Sequence, residues 1–468
     1  MCVYTKKVDG IILLMYNIDR KKCVYTQKRM LNMKIVRERY LEKLVNLKDN
    51  GKVKIITGIR RSGKSYLLKE LYKDYLIGQG IKENHIIYIA LDDFTYRDLL
   101  NPLEFDKYVR NKIIDNEIYY LIFDEIQNII EIKNPILTEG KIQKANKEDK
   151  DTINFVKVIL GFLHISNVDI YITGSNSKFL SADIVTEFRD RGDEIYVLPL
   201  SFEEFIQEYQ GDVEQAYEEY ALHGGLPLIF SYQNSEDKKN YLTNLYNLTY
   251  FTDVMERNSF KKSDELNVLT RIMASSIGSL VNPNNISNTF NSVEKNVINK
   301  DTIYAYLLAL ENAFIIKKVG RIDVRGRKNI GATYKYYYTD LGIRNARLDF
   351  LHSDKGYVME NIVYNELIYR GYNVEVGSVD KYSKSKDNKT VRNVYEIDFV
   401  AYKDGKYKYI QCAYDINDEE KYIQETKSLS LIKDSFEKIL ITRNSQNIRY
   451  DDKGIKLIGI VDFLTNKY

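Results

Sequence analysis

The stretch VKIITGIRRSGKSYLLKELYKDYL, residues 53–76, decides the fold. It contains the pattern G-x-x-x-x-G-K-[ST] between an apolar run typical of a buried strand and an amphipathic run typical of a helix, the context in which this pattern folds around a phosphate. Glycines let backbone N–H groups turn inward, and the helix N-terminus adds its dipole. The residues expected to contact nucleotide are Gly58, Ile59, Arg60, Arg61, Ser62, Gly63, Lys64, Ser65 and Tyr66. Lys64 is expected to reach the β- and γ-phosphates and Ser65 to bind Mg²⁺. A glycine-rich turn without a ligand is the alternative.

A second apolar run, YYLIFDEIQ at residues 119–127, ends in two acids. Asp124 is expected to hold Mg²⁺ through water. Glu125 is placed to polarise an attacking water as general base, which a hydrolase needs and a nucleotide switch does not. The pair therefore predicts an ATPase with ATP and Mg²⁺ as its cofactors.

Polar side chains after a third strand, VDIYITGSNS at residues 168–177, are candidates for sensing the γ-phosphate. These candidates are Thr173, Ser175 and Asn176, together with Gln127 just past the acidic pair. Capping of the next helix is the alternative for each of them.

Two arginines in TEFRDRGDEI, residues 186–195, are candidates for an arginine finger. Arg189 or Arg191 could stabilise charge in phosphoryl transfer, in cis or from a partner subunit. An ordinary salt-bridged loop is the alternative.

The length, charge and cysteine content of the whole chain limit the class of protein. The 468 residues predict about three domains, and a net charge of +3 neither requires nor excludes nucleic acid. Three scattered cysteines, Cys2, Cys23 and Cys412, form neither a metal knuckle nor a redox pair and favour a reducing compartment. The short apolar run at residues 11–16 cannot span a bilayer, so we expect a cytoplasmic protein without membrane contact.

Strand and helix patterns alternate from residue 34, which predicts an α/β fold with a parallel sheet covered by helices on both faces. We predict four segments: an N-terminal extension (1–33), a P-loop domain (34–209), a helical and winged-helix-like region (210–330) and a C-terminal α/β domain (331–468). Within them, we expect surface insertions at residues 130–151 and an exposed loop at residues 381–393.

Several motifs together resemble a known family, the AAA-like ATPases of bacteria and archaea with an uncharacterised C-terminal domain. They are GIRRSGKS (58–65), FDEIQ (123–127), YITGSNSKFLS (171–181), FRDRGDEIYVLPLSFEEF (188–205), HGGLPL (223–228), YYYTDLGIRNARL (336–348), GYVMENIVYNEL (356–367) and YEIDFV (395–400). The resemblance implies a P-loop fold of the ASCE type, a winged-helix linker and a C-terminal domain with a restriction-endonuclease-like fold.

The C-terminal domain would then carry nuclease-like acids. The candidate acids are Glu360, Glu396 and Asp398. Glu360 fits the helix position and Asp398 the strand aspartate, but the next strand has Gln411 and Ala413 where that type of nuclease has a carboxylate and a lysine. An amide binds Mg²⁺ more weakly than a carboxylate does, and alanine cannot assist the attacking water. We therefore expect an inactive domain.

The sequence thus predicts ATP hydrolysis that drives a conformational change of the winged-helix and C-terminal modules. One alternative is an ATP-gated module that binds double-stranded DNA or a protein partner and hydrolyses slowly. Residues 314–324 alternate like a hairpin strand, which indicates the wing. Four basic residues near this expected wing, Arg321, Arg325, Arg327 and Lys328, could contact phosphates, or could be a solvated hairpin. An ATP-regulated nuclease is the disfavoured alternative.

Overall fold

The computed structural model describes residues 35–465, except residues 147, 175–187, 189, 259, 261, 294–297, 332, 352–353, 385–389 and 445–447. The predicted N-terminal extension lies outside this range. Within the described part of the chain, no helix combines the length and the apolar character needed to cross a lipid bilayer.

The first part of the chain forms a parallel sheet. The strands in this part of the chain are β1 Val53–Thr57, β2 Ile86–Ala90, β3 Tyr119–Asp124, β4 Ile132–Lys133, β5 Thr152–Ile153, β6 Val168–Thr173 and β7 Gly192–Tyr196. The sheet order is β2-β3-β6-β1-β7, with every neighbouring pair parallel. Strands β4 and β5 form a separate hairpin in the polar insertion. The predicted parallel α/β fold is confirmed.

Helices cover both faces of this sheet. They are α1 Glu38–Leu47, α2 in three contiguous segments (Lys64–Tyr66, Leu67–Tyr72 and Lys73–Gly78), α3 Pro102–Lys112 and α4 Phe155–Phe162, with short 3₁₀ turns at Glu83–His85, Phe94–Leu100, Ile126–Asn128 and Pro135–Thr138. Successive strand residues serve opposite layers: Ile55 packs in one core with Phe105 and Phe162, whereas Ile56 packs in the other with Leu67. Burial on both faces explains why these strands are almost continuously apolar.

A helical region follows the sheet. It contains α5 Phe202–Ile206, α6 Val213–His223, a 3₁₀ turn at Pro227–Ser231, α7 in three contiguous segments (Ser235–Leu245, Tyr246–Phe251 and Thr252–Arg257), α8 Ser263–Ser275, α9 Pro283–Val293 and α10 Lys300–Asn312. Next come β8 Ile316–Val319, β9 Arg321–Asp323, β10 Lys328–Asn329, β11 Lys335–Tyr338 and α11 Leu341–Arg347. Strand β8 pairs with β11, which lies beyond residue 330, the predicted end of the helical and winged-helix-like region. Val281 also forms a bridge to Tyr334.

The C-terminal part is a mixed sheet with helices. Its elements are α12 Lys355–Tyr369, β12 Asn373–Lys384, β13 Thr390–Lys403, β14 Lys406–Ala413, α13 Glu419–Ser430, β15 Glu437–Thr442, β16 Arg449–Tyr450, β17 Ile455–Gly459 and α14 Ile460–Leu464. The sheet order is β10-β9-β12-β13-β14-β15-β17-β16.

Two local predictions were wrong. Residues 314–324 do not form one hairpin strand, because β8 pairs with β11 while β9 joins the C-terminal sheet beside β12. The predicted loop at 381–393 is largely strand, since β12 and β13 form a long hairpin with pairs as far as Lys384–Thr390. Its exposed polar residues interact across the strands, as in the ion pair between Arg392 and Asp380 at 2.8 Å.

Candidate functional site

The phosphate loop leaves β1 at its carboxyl end and enters α2. Gly58 has φ of +136°, and a Cβ there would lie 2.2 Å from the carbonyl oxygen of Val197, so only glycine fits. Gly63 has φ of +94°, and Arg61 is also left-handed with φ of +66°. The first glycine of the motif is therefore required by the close approach of the chain that leaves β7, as well as by any ligand.

Lys64 is buried within its own loop. Its Nζ donates to the carbonyl oxygens of Gly58 at 2.9 Å and Ile59 at 3.0 Å. Burial lowers the pKa of Lys64 to about 8, although the carboxylates of Glu125 and Asp124 act in the opposite direction. A buried ammonium in these surroundings gains from an added negative charge.

The acidic pair lies at the carboxyl end of β3. Tyr88 donates to Asp124 Oδ2 at 2.9 Å, and the hydroxyl of Thr173 donates to Asp124 Oδ1. The same Thr173 hydroxyl accepts the backbone N–H of Glu125 at 3.1 Å. Gln127 donates from its side-chain amide to Glu125 Oε2. Thr173 and Gln127 thus hold the acidic pair in place.

A cavity of about 470 Å³ opens beside the loop. This volume lies within the range of ordinary small-ligand sites. Of the expected nucleotide contacts, it is lined by Arg60, Arg61, Gly63, Lys64, Ser65 and Tyr66, and Glu125 faces it from β3. The structure therefore brings the phosphate loop and the proposed general base to one cavity.

Sequence reasoning missed half of the lining. The additional residues are Ile35, Arg37, Asp92, Asn128, Leu200, Pro227, Leu228 and Thr249. Asp92 could have been found, because it follows β2 and ligands bind outside the carboxyl ends of parallel strands. Burial raises the pKa of Asp92, and the nearby carboxylates of Asp124 and Glu125 raise it further.

Arg60 connects the loop to α7. Its guanidinium pairs with Asp253 at 2.8 Å, and its carbonyl oxygen accepts the hydroxyl of Tyr250 at 2.7 Å. Arg61 is exposed at the cavity. Arg60 therefore joins the phosphate loop to α7 through one ion pair and one hydrogen bond.

The other four predicted residues lie between β6 and β7 in the sequence. Ser175, Asn176 and Arg189 lie outside the described residues. Arg191 is exposed and immediately precedes β7, where its carbonyl accepts the N–H of Val53 at the amino end of the sheet. Five strand residues at roughly 3.3 Å each separate that end from the phosphate loop, so Arg191 does not reach the cavity of its own chain.

A magnesium site at this cavity would use few protein oxygens. Among the residues that the structure describes, no group of three or more His, Cys, Asp or Glu is arranged to hold a metal ion. Mg²⁺ at phosphate sites takes one or two protein ligands, with phosphate and water supplying the rest. The exposed Ser65 and the buried Asp124 fit this requirement.

The C-terminal acids do come together, around a lysine that the sequence did not indicate. Lys335 Nζ lies 2.9 Å from Glu360, 2.8 Å from Glu396 and 3.6 Å from Asp398. Tyr337 donates to the same oxygen of Glu360 at 2.5 Å. The lysine comes from β11, and the acids come from α12 and β13.

The opposite charges in this cluster shift the pKa values of its members. Burial acts to lower the pKa of Lys335, but Glu360, Asp398 and Glu396 outweigh it and raise the pKa above its usual value. Burial and the Glu360 charge raise the pKa of Asp398, although the Lys335 ammonium acts in the opposite direction. Gln411 Oε1 accepts the backbone N–H of Asp398 at 3.4 Å.

Two known families match parts of this chain. Residues 50–206 match the AAA domain family, and residues 214–354 match a domain of unknown function (DUF8612). An uncharacterized protein of Haemophilus influenzae is 34% identical over 437 residues, covering 92% of this chain and 98% of that protein. An uncharacterized protein of Methanocaldococcus jannaschii is 28% identical over 473 residues, covering 97% and 95% respectively.

Among solved structures, the Walker-type ATPase PABY2304 of Pyrococcus abyssi is similar at 16% identity with a TM-score of 0.45, covering 67% of this chain and 96% of that chain. The family assignment does not depend on it, since the sequence relation to the Haemophilus influenzae protein spans nearly all of both chains. The chain belongs to the same family as that protein, and its residues 50–206 form an AAA-type P-loop domain.

Proposed function

We propose that this protein binds and hydrolyses ATP at the cavity beside residues 58–66. The observation that carries the proposal is Lys64, a buried ammonium with a lowered pKa that lines the same cavity as Ser65 and Glu125. Lys64 would bind the β- and γ-phosphates, and Glu125 would take a proton from the attacking water. A bound Mg²⁺ would supply charge neutralisation at the phosphate oxygens.

Hydrolysis would move the helical region. Three of its residues, Pro227, Leu228 and Thr249, line the cavity, and Asp253 pairs with Arg60 of the loop. Loss of the γ-phosphate would change the loop to which these residues attach. Helices α8, α9 and α10 precede the paired strands β8 and β11, and Val281 bridges to Tyr334. This order of elements supports a winged-helix module as the part that moves.

The C-terminal domain would respond without cutting nucleic acid. Its order α12-β12-β13-β14-α13-β15 supports the restriction-endonuclease-like fold that the sequence suggests. Gln411 stands beside Asp398, and Lys335 already fills the centre of the carboxylate cluster. Both features support an inactive nuclease site.

A Glu125→Gln variant tests the proposal. It should bind ATP as the wild type does and lose turnover by roughly 100- to 10,000-fold, the contribution of general base catalysis. Steady-state phosphate release and calorimetric ATP binding measure the two quantities. Glu117→Gln is the matched control, since Glu117 is an exposed acid that precedes the other end of β3 and pairs with Lys82.

A second candidate function is ATP-gated binding with slow hydrolysis. It is favoured by the exposed basic residues Arg325, Arg327 and Lys328 near β10, which could contact double-stranded DNA. Turnover that survives in Glu125→Gln would place the base elsewhere and favour this candidate. Turnover that is lost while binding persists would favour the hydrolase.

A further inference from the structure

Arg37 joins three parts of the molecule at one buried guanidinium. It immediately precedes α1 and is 1% exposed. Nη1 donates to the carbonyl oxygen of Ser62, in the phosphate loop, at 2.8 Å. Nη2 donates to the carbonyl oxygens of Leu198 at 2.9 Å and Pro199 at 3.3 Å, where the chain leaves the parallel sheet.

The same guanidinium pairs with Glu204 of α5. The distances are 3.2 Å from Nε to Oε1 and 3.1 Å from Nη2 to Oε2. Tyr369, the last residue of α12, donates its hydroxyl to Glu204 Oε1 at 3.2 Å. A continuous chain of contacts thus runs from the C-terminal domain through Tyr369, Glu204 and Arg37 to the phosphate loop.

The contact with Ser62 acts on the loop itself. The carbonyl of Ser62 and the N–H of Gly63 belong to one planar trans peptide and point in opposite directions. A hydrogen bond that fixes the carbonyl therefore fixes the direction of the Gly63 N–H. Inward N–H groups are what such a loop offers to a phosphate. Arg37, which also lines the cavity, is thereby able to set through the Ser62 peptide how well the loop binds phosphate.

Only arginine can make this set of contacts. Its planar guanidinium carries five donors in a fixed fork, so it can hold Ser62, Pro199 and Glu204 together. The single ammonium of lysine would have to abandon some of them. The ion pair between Arg37 and Glu204 is also costly to break because it is buried: removing one partner leaves the other as an unpaired buried charge.

We propose that Arg37 is a positioning residue that couples nucleotide affinity to the docking of α12, through Glu204 and Tyr369. This inference rests on the proposed function, because it assumes that the loop binds ATP. Displacement of the end of α12 weakens the ion pair between Glu204 and Arg37. The Ser62 peptide then loses its fixed direction, and ATP binds less tightly.

A Tyr369→Phe variant tests the coupling, because it removes one hydroxyl that lies outside the cavity. We expect the Kd for ATP with Mg²⁺ to rise roughly twofold to tenfold, in line with the loss of one typical hydrogen bond. Calorimetric titration of the full chain measures it. Tyr357→Phe, at the exposed first turn of the same helix, is the matched control and should leave the Kd unchanged.

A double-mutant cycle shows whether Arg37 carries the effect. In an Arg37→Lys background the Tyr369→Phe change should have no further effect on the Kd, because the connection is already broken. Should Arg37→Lys fail to fold, Glu204→Gln takes its place, since glutamine still serves the capping box of α5.

Two results would overturn the inference: wild-type affinity in Tyr369→Phe, or a Tyr369→Phe effect of undiminished size in the Arg37→Lys or Glu204→Gln background. Both differ from failure of the proposed function, in which the wild type itself binds no ATP.

Discussion

Two buried lysines, Lys64 and Lys335, occupy opposite electrostatic settings. Lys64 donates to two backbone carbonyls, and burial lowers its pKa to about 8. Lys335 lies among three carboxylates, which overcome the effect of burial and raise its pKa. Each ammonium belongs to a different α/β unit, one in the P-loop domain and one at the C-terminal sheet.

The difference shows how a lysine can serve either a ligand or the fold. Carbonyl oxygens solvate an ammonium but leave its charge uncompensated, so Lys64 attracts an anion such as a phosphate. Carboxylates compensate the charge of Lys335 and leave it little to offer a ligand. Lys335 instead ties β11 to α12 and β13, because its partners come from those elements.

Substituting each lysine by methionine should separate the two settings most clearly. Lys335→Met should lower the free energy of unfolding by about 3–5 kcal/mol, because it leaves buried carboxylates without their cationic partner. Lys64→Met should not lower it at pH 7 and should raise it by up to about 3 kcal/mol, since a cation with a depressed pKa is removed. Denaturant unfolding without nucleotide measures both.

The two variants control each other, since both replace a buried lysine by the same side chain. Lys64→Met should also weaken ATP binding at least about 100-fold, the equivalent of roughly 2.7 kcal/mol. Equal destabilisation by both substitutions would show that the contrast between the lysines is false.

Added ligands should separate the P-loop domain from the C-terminal cluster by a smaller change in the free energy of unfolding. ATP with Mg²⁺ at about 100 times its Kd should stabilise the wild type by about 2.7 kcal/mol and Lys64→Met by no more than about 0.4 kcal/mol.

Mg²⁺ or Mn²⁺ alone should leave plasmid DNA intact, because Lys335 occupies the C-terminal cluster. Metal-dependent cutting that disappears in Asp398→Ala would contradict the inactive assignment.

What the sequence predicted was local. The phosphate loop and the pair Asp124–Glu125 each lie within one strand and its following turn, so spacing alone places their side chains. The parallel sheet followed from short apolar runs separated by helices. Glu360, Glu396 and Asp398 were also found, because a resemblance supplied the pattern that joins a helix to a strand.

What the sequence could not give was contact between distant segments. Lys335 precedes Glu360 by 25 residues, and no local period marks a lysine of β11 that pairs with acids on α12 and β13. Arg37 and Glu204 are 167 residues apart, and their pairing depends on how α1, α5 and the loop pack. The outer part of the β12–β13 hairpin resembles a loop in sequence because its residues are polar and exposed, and cross-strand pairing rather than burial stabilises it.

Asp340 offers the smallest test, a buried carboxylate held by backbone N–H groups. It lies five residues after Lys335, and its Oδ2 accepts the N–H of Gly225 at 2.8 Å, close to Pro227 of the nucleotide cavity. Burial raises its pKa to about 6, against the lowering effect of the Gly225 and neighbouring N–H groups.

A raised pKa in the folded state means that protonation of Asp340 favours folding. Its contribution is fully present below pH about 4, the usual value of an aspartate, and is lost as pH rises through about 6. Between pH 5 and pH 7 the wild type should therefore lose about 1 kcal/mol of stability that Asp340→Asn does not lose. Urea unfolding across this range measures the difference in slope, which is independent of the overall cost of the substitution. Parallel slopes in the two proteins would mean that the N–H groups alone compensate the Asp340 charge, as the carbonyls around Lys64 do not.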